Sequence, residues 1–164
     1  AAEGMKVAIT GLNESRLADA RRKLEQTAAP AHVGAIRADV RRYDEIAQAI
    51  RAQRPNAMPG EILTPGVKQM IAAIVKQKVD GKGGAGAKST ILGEGNPKNE
   101  SAAPINLAVN ATYPTTAPLS TMPPSVLIAL PPLPKELEYR FVGRTLILRD
   151  TTANVIVDVA PDIF

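Results

Sequence analysis

Nine of the chain's 14 prolines fall between Pro97 and Pro134, and this crowding constrains the fold more than any other feature of the sequence. Proline lacks an amide hydrogen and fixes φ, so such a stretch sustains neither a helix interior nor a central strand. The run before it, from Asp80, is rich in glycine. Residues 80–134 therefore predict a long Gly/Pro-rich extended arm, partly polyproline, that wraps ordered structure or stays disordered. Any core must come from the flanks. It must also be built mainly from Ala, Val, Ile and Leu, since the 164 residues include three Tyr, two Phe and no Trp.

The first flank has a clear rhythm. Met5–Thr10 alternates and is β-branched, predicting a strand that Gly11 ends. Asn13 and Ser15 are both N-caps for a helix over 14–27, where Leu17, Ala20 and Leu24 recur at helical spacing. Pro30 closes the turn, and His32 falls in a loop. Val33–Ala38 reads as a second strand ending at Asp39, and Tyr43–Arg54 as a second helix stopped by Pro55. Residues 1–54 thus read β-α-β-α, the order of a parallel sheet covered by helices.

Residues 55–66 hold three Pro and two Gly and read as a linker. Val67–Val79 is an amphipathic helix with its stripe on Val67, Met70, Ile71, Ile74 and Val75. In 135–164, Tyr139–Val142, Thr145–Arg149 and Val155–Val159 each alternate around turns, predicting a β-hairpin module with Leu146, Leu148, Ile156 and Val159 on buried faces. The expected fold class is α+β: a short β-α-β-α N-terminal segment, one amphipathic helix, the arm and a C-terminal β-hairpin. A lone hairpin is marginal in water, so it must pack on the 67–79 helix or on a partner.

Composition narrows the chemistry. The sequence contains no Cys, which excludes disulfides and thiolate metal sites, and its single histidine, His32, excludes a multi-histidine centre. No run of 18 apolar residues predicts a membrane span. The net charge of +4 is spread thinly, with Arg21-Arg22-Lys23 and Arg41-Arg42 lying among acids, and aromatic interleaving is missing, so nucleic acid is not an expected partner.

The Gly81–Thr90 stretch invites comparison with a phosphate-binding loop. Ala87 separates Gly86 from Lys88, however, and the preceding segment reads as helix rather than strand, so a flexible linker is expected. Asp44 and Glu45 complement a helix dipole. Asp150 and Asp158 flank the last turn and read as turn-formers rather than as cation ligands. Asn13, Asn99 and Asn110 each open an N-x-[ST] triplet, relevant only to a eukaryotic secretory route. No G-x-S-x-G nucleophile elbow occurs.

Two resemblances add expectations. Ala1–Gly4, Met5–Thr10, the loop Gly11-Leu12-Asn13-Glu14-Ser15-Arg16-Leu17 and Ala38-Asp39-Val40 resemble an internal fragment of a short-chain dehydrogenase/reductase, from the end of its first helix to the end of its third strand. The resemblance implies a Rossmann-like fold and an NAD site contacted by Gly11, Leu12, Asn13, Asp39 and Val40. Leu12 stands where an Arg often pairs with the 2′-phosphate of NADP and cannot supply that charge. The family's first strand and Gly-rich turn would precede residue 1. Tyr43, Tyr113 and Tyr139 are followed four positions on by Ala47, Ala117 and Gly143, so Y-x-x-x-K, in which Lys lowers the Tyr pKa, does not occur.

Tyr139–Arg144, Leu146–Asp150 and Ile156–Val159 are similar to the terminal hairpin of small exported alphaproteobacterial proteins and of RcnB-type periplasmic proteins. That similarity implies a periplasmic or secreted location once a signal peptide is removed, otherwise a cytoplasmic one, and carries over no metal ligands. The expected function is a non-catalytic structural or interaction module, without a cofactor, acting through a protein partner or as a homo-oligomer. The alternative is an incomplete NAD(P)-binding dehydrogenase-like protein lacking intact catalytic residues.

Overall fold

The computed structural model describes residues 6–27, 32–39, 41–93, 96, 98 and 104–164. The chain divides into two compact units, Ala1–Pro55 and Asn56–Phe164. The fold is α+β, as the sequence predicts.

In the first unit β1 (Lys6–Gly11) and β2 (His32–Arg37) pair in parallel, from Lys6 opposite His32 to Gly11 opposite Arg37. Helix α1 (Glu14–Thr27) is the crossover and packs on both strands. Of the two foreseen caps the structure uses Asn13, whose Oδ1 accepts from the Arg16 amide at 3.0 Å. Helix α2 (Tyr43–Gln53) ends at Arg54, before Pro55. His32 opens β2 rather than lying in a loop, since the pairing with Lys6 extends the strand by one residue.

The second unit is built on a three-stranded antiparallel sheet in order β3 (Leu137–Val142), β4 (Thr145–Asp150), β5 (Val155–Ala160). The expected hairpin is thus a meander. Gly143 makes the β3–β4 turn at φ +60°, a region open to glycine. One face of the sheet sets Tyr139, Phe141, Leu146 and Leu148 against Ile71 and Val75 of α3 (Pro65–Asp80) and Ile91 of α4 (Ala85–Leu92). The amphipathic helix is longer than its apolar stripe suggests. Pro65 sits in its first turn, where the missing amide costs no bond, and Thr64 caps it through the Val67 amide.

Two expectations for 80–134 are corrected. The Gly81–Thr90 stretch is not a flexible linker, because α4 forms within it. Gly84 permits the turn from α3, since a Cβ there would run into the carbonyl oxygens of Lys78 and Val79. The rest of the arm is not featureless either. A short helix α5 (Pro124–Leu127) buries Val126 against the core.

Residues 105–113 run along the second sheet face with a turn at Val109–Asn110, where the Ala111 amide donates to Ala108 O at 3.1 Å, and Ile105, Leu107, Val109, Ala111 and Tyr113 cover Val142, Ile147, Ile156 and Val159. They also cover the edge of β5: Asn110 N donates to Ile156 O at 2.8 Å, Ile156 N to Ala111 O at 2.9 Å, and Tyr113 N to Asn154 O at 3.0 Å. Every residue of β5 is consequently buried.

Ile71 is fully buried at the centre of this packing, while Met70 beside it is 45% exposed. We expect Ile71→Ala to cost about 2–5 kcal/mol in chemical denaturation and Met70→Ala about 0.5 kcal/mol or less. Equal losses at the two positions would contradict the packing described.

Candidate functional site

The residues singled out for a cofactor converge in the first unit. β1 and β2 both end at one edge of the parallel pair, the edge at which open α/β sheets hold ligands. There Gly11 O accepts from the Ala38 amide at 3.1 Å, which brings the loop after β1 beside the loop after β2. Leu12, Arg37, Asp39, Arg42, Glu45 and Gln48 line an open cleft of about 570 Å³ at this edge. Leu12 is 53% exposed. Val40 lies outside the described residues.

Much of the polar capacity of this cleft is already engaged. The Oδ1 of Asn13 accepts from the Ser15 hydroxyl at 2.7 Å as well as from the Arg16 amide, so this side chain serves the start of α1. Asp39 receives the guanidinium of Arg41 at both oxygens, at 2.9 and 2.8 Å, and the Arg41 amide at 3.0 Å. The Arg41 side chain, its amide and its charge hold the Asp39 carboxyl down to about 2. Glu45 accepts from the Asp39 amide at 2.8 Å and pairs with Arg42 at 3.0 Å, so it does more than complement the helix dipole. Arg37 reaches the Leu12 carbonyl at 3.4 Å and Glu14 at 3.9 Å. The cleft is therefore lined by both signs of charge, largely paired.

In the second unit the chemistry-bearing side chains serve the backbone. Asp150 is the turn-former foreseen, accepting from the Thr152 and Ala153 amides at 2.9 and 2.7 Å. Asp158 is not. It lies inside β5, fully buried, opposite Leu148. The pairing shifts between Leu148 and Arg149, leaving Val157 as an extra residue on β5. Such a bulge turns the next side chain over, so Asp158 faces the α3 side of the sheet rather than the arm. Its carboxylate accepts from the amides of Gly60, Ile62 and Leu63 at 2.7–2.8 Å and from its neighbour Val159 at 2.7 Å. A charge is tolerated within an apolar strand because backbone dipoles converge on it.

Other polar groups cap the sheet. The Ser120 hydroxyl donates to Phe141 O at 2.6 Å and accepts from Phe141 N at 3.1 Å, closing the outer edge of β3. Asn96 binds the Ile91 carbonyl and accepts from Gly143 N at 3.1 Å. Glu138 pairs with Arg149 on β4 and with Arg140 at 2.7 Å. Burial pushes the Glu138 carboxyl up, but the hydrogen bonds from Arg140 and Arg149 outweigh it and leave the group below its usual range. Arg149 also lies 5.6 Å over the Tyr113 ring, joining this pair to the arm.

Sequence reasoning missed Asp158, Ser120 and Asn96 as tethers. For Asp158 a signal existed: one acid amid the apolar run Val155–Ala160. Among the described residues no three His, Cys, Asp or Glu side chains are placed to hold a metal ion, and no helix is long and apolar enough to cross a membrane.

Two measurements check these assignments. In an NMR titration the Asp39 carboxyl should show a midpoint of about 2, returning toward the ordinary value near ~4 in Arg41→Ala. Because the folded value is depressed, its stabilisation is complete above ~4 and is lost as pH falls through about 2. An unchanged ordinary midpoint in the parent chain would contradict the Arg41 pairing. Separately, Asp158→Asn sets an NH₂ donor against amide donors and should cost at least ~3 kcal/mol. It should also strip exchange protection from the Gly60, Ile62 and Leu63 amides. Full stability with intact protection would refute the tether.

Compared with protein-family models, with curated proteins and with solved structures, the chain finds no match.

Proposed function

We propose that this chain is a non-catalytic structural or interaction protein, acting in the periplasm or outside the cell. The observation that carries this reading is the fate of the reactive side chains in Asn56–Phe164. The buried carboxylate of Asp158, the hydroxyl of Ser120 and the amide of Asn96 are all bound to main-chain groups. A general base or nucleophile must offer its lone pair to a substrate. These groups offer theirs to the fold. The location rests on the similarity of Tyr139–Val159 to the terminal hairpin of small exported proteins.

A second reading has one specific support: Gly11, Leu12, Asn13 and Asp39 meet at the carboxyl ends of two parallel strands, beside a cleft. On this reading the first unit is an incomplete NAD-binding segment. Against it stand the pairing of Asp39 with Arg41 and the use of Asn13 as a helix cap. Calorimetric titration with NAD⁺ and NADH separates the two. No heat of binding up to millimolar ligand is expected, whereas saturable micromolar binding abolished by Asp39→Ala would overturn the first reading in favour of the second.

A further inference from the structure

The side of the three-stranded sheet that the arm covers is not uniformly apolar. Tyr139 and Phe141 of β3 and Leu146 and Leu148 of β4 pack toward α3, so strand alternation turns Glu138, Arg140 and Arg149 to the arm side. Glu138 joins the two arginines. Its carboxylate pairs with Arg149, directly opposite on β4, and with Arg140 at 2.7 Å on its own strand. With side chains only 13–27% exposed, the trio is closer to a buried ion cluster than to a surface pair.

Each arginine passes the contact on to the arm. Arg149 stacks 5.6 Å over the Tyr113 ring and donates from Nε to Asn154 Oδ1 at 2.9 Å, and Asn154 donates to Tyr113 O at 2.7 Å. Arg140 donates to Ser120 O at 3.0 Å. One carboxylate thus stands behind two attachments of the arm. Residues 104–134 contain no Asp or Glu, so this part of the arm offers no second counter-charge. The packing also makes the arm separable from the core. The apolar side chains of 105–117 join the cluster on one sheet face, whereas α3, α4 and α5 join the cluster on the other.

We propose that Glu138 is an electrostatic latch: its neutralisation by acid lifts residues 105–117 and uncovers Val142, Ile147, Ile156 and Val159, while α3 stays packed on the opposite face. Loss of the carboxylate charge leaves Arg140 and Arg149 largely shielded from water without their shared partner. The groups over them are Tyr113 and Ser120, so lifting the arm is what hydrates them. Around the latch stand Arg140 on β3, Arg149 on β4 and Tyr113 on the arm. Asp158 of β5 faces the loop before α3, and Asp150 is held by the amides of its own turn. Burial raises the Glu138 carboxyl and the two guanidiniums lower it further, to below its usual range. The latch therefore holds fully above ~4 and gives way as pH falls below that value. The device belongs to the fold of the second unit and does not depend on the non-catalytic reading.

Hydrogen exchange, expressed as protection relative to the intrinsic rate, tests the latch. At neutral pH the amides of Asn110 and Tyr113, bonded to Ile156 O and Asn154 O, should open more often than those of Val75 and Val79 within α3. In Glu138→Gln the protection of the two arm amides should fall about tenfold or more. In the parent chain the same loss should appear as pH is taken from ~5 to ~2, whereas Glu138→Gln should stay flat over that range. Arm and α3 amides that open together would show that the arm does not lift by itself. Arm protection unchanged on acidification of the parent would show that Glu138 does not hold it. Either result overturns the proposal, and the parent titration decides even if Glu138→Gln fails to fold.

Discussion

The fold of the second unit depends on the contact between Asp158 and the loop before α3. A carboxylate in the middle of a fully buried strand is costly unless donors surround it. The loop Gly60–Leu63 supplies three amides, and the bulge at Val157 aims the side chain toward them. The contact fixes the residues that lead into Thr64 and hence the point at which α3 begins. From there Ile71, Val75 and Val79 are brought down in turn on the sheet. A segment that reads as a linker is therefore the piece that orients the helix over the strands.

The proline-rich arm has a matching physical role. Three strands leave two edges and a face to be covered, and few aromatic residues are available to cover them. The segment carrying Ile105, Leu107, Val109, Ala111 and Tyr113 shields the face, makes two hydrogen bonds with Ile156 of β5 and donates a third to Asn154 just before it. Ser120, flanked by chain that cannot pair as a regular strand, seals β3 with one hydroxyl. Proline is well suited to such a covering because it ends pairing where the cover ends. The two phenylalanines meet edge to face at 5.8 Å, with Arg144 stacked over Phe164, so the last residue of the sequence closes the large cluster.

How much of this could be read from the sequence follows the range of the forces involved. β1, α1, β2 and α2 were legible to within a residue or so, because alternation, helical spacing and Asn13 capping are local signals. The three C-terminal strands were legible for the same reason. Helix α4 was not, since its glycines argue against helix and only the close approach to Lys78 and Val79 explains Gly84. The alternation of Ile105–Tyr113 was masked by the prolines around it. The convergence of Gly11, Leu12 and Asp39 was visible, but not the engagement of Asp39 by Arg41 two residues on. Asp158 was misread because its partners are main-chain amides, which carry no residue-type signature.

Those partners lie 95 to 98 residues earlier in the chain. During synthesis, the apolar stripe of α3 leaves the ribosome long before β3, β4 and β5 exist to receive it. The arm follows, still without a surface to cover. Only when the final strand emerges can the carboxylate reach back and settle the loop, the helix and the arm together. The pairing of Asp158 with the loop is thus among the longest-range contacts of the second unit, and the chain between them must be ordered before it stabilises anything.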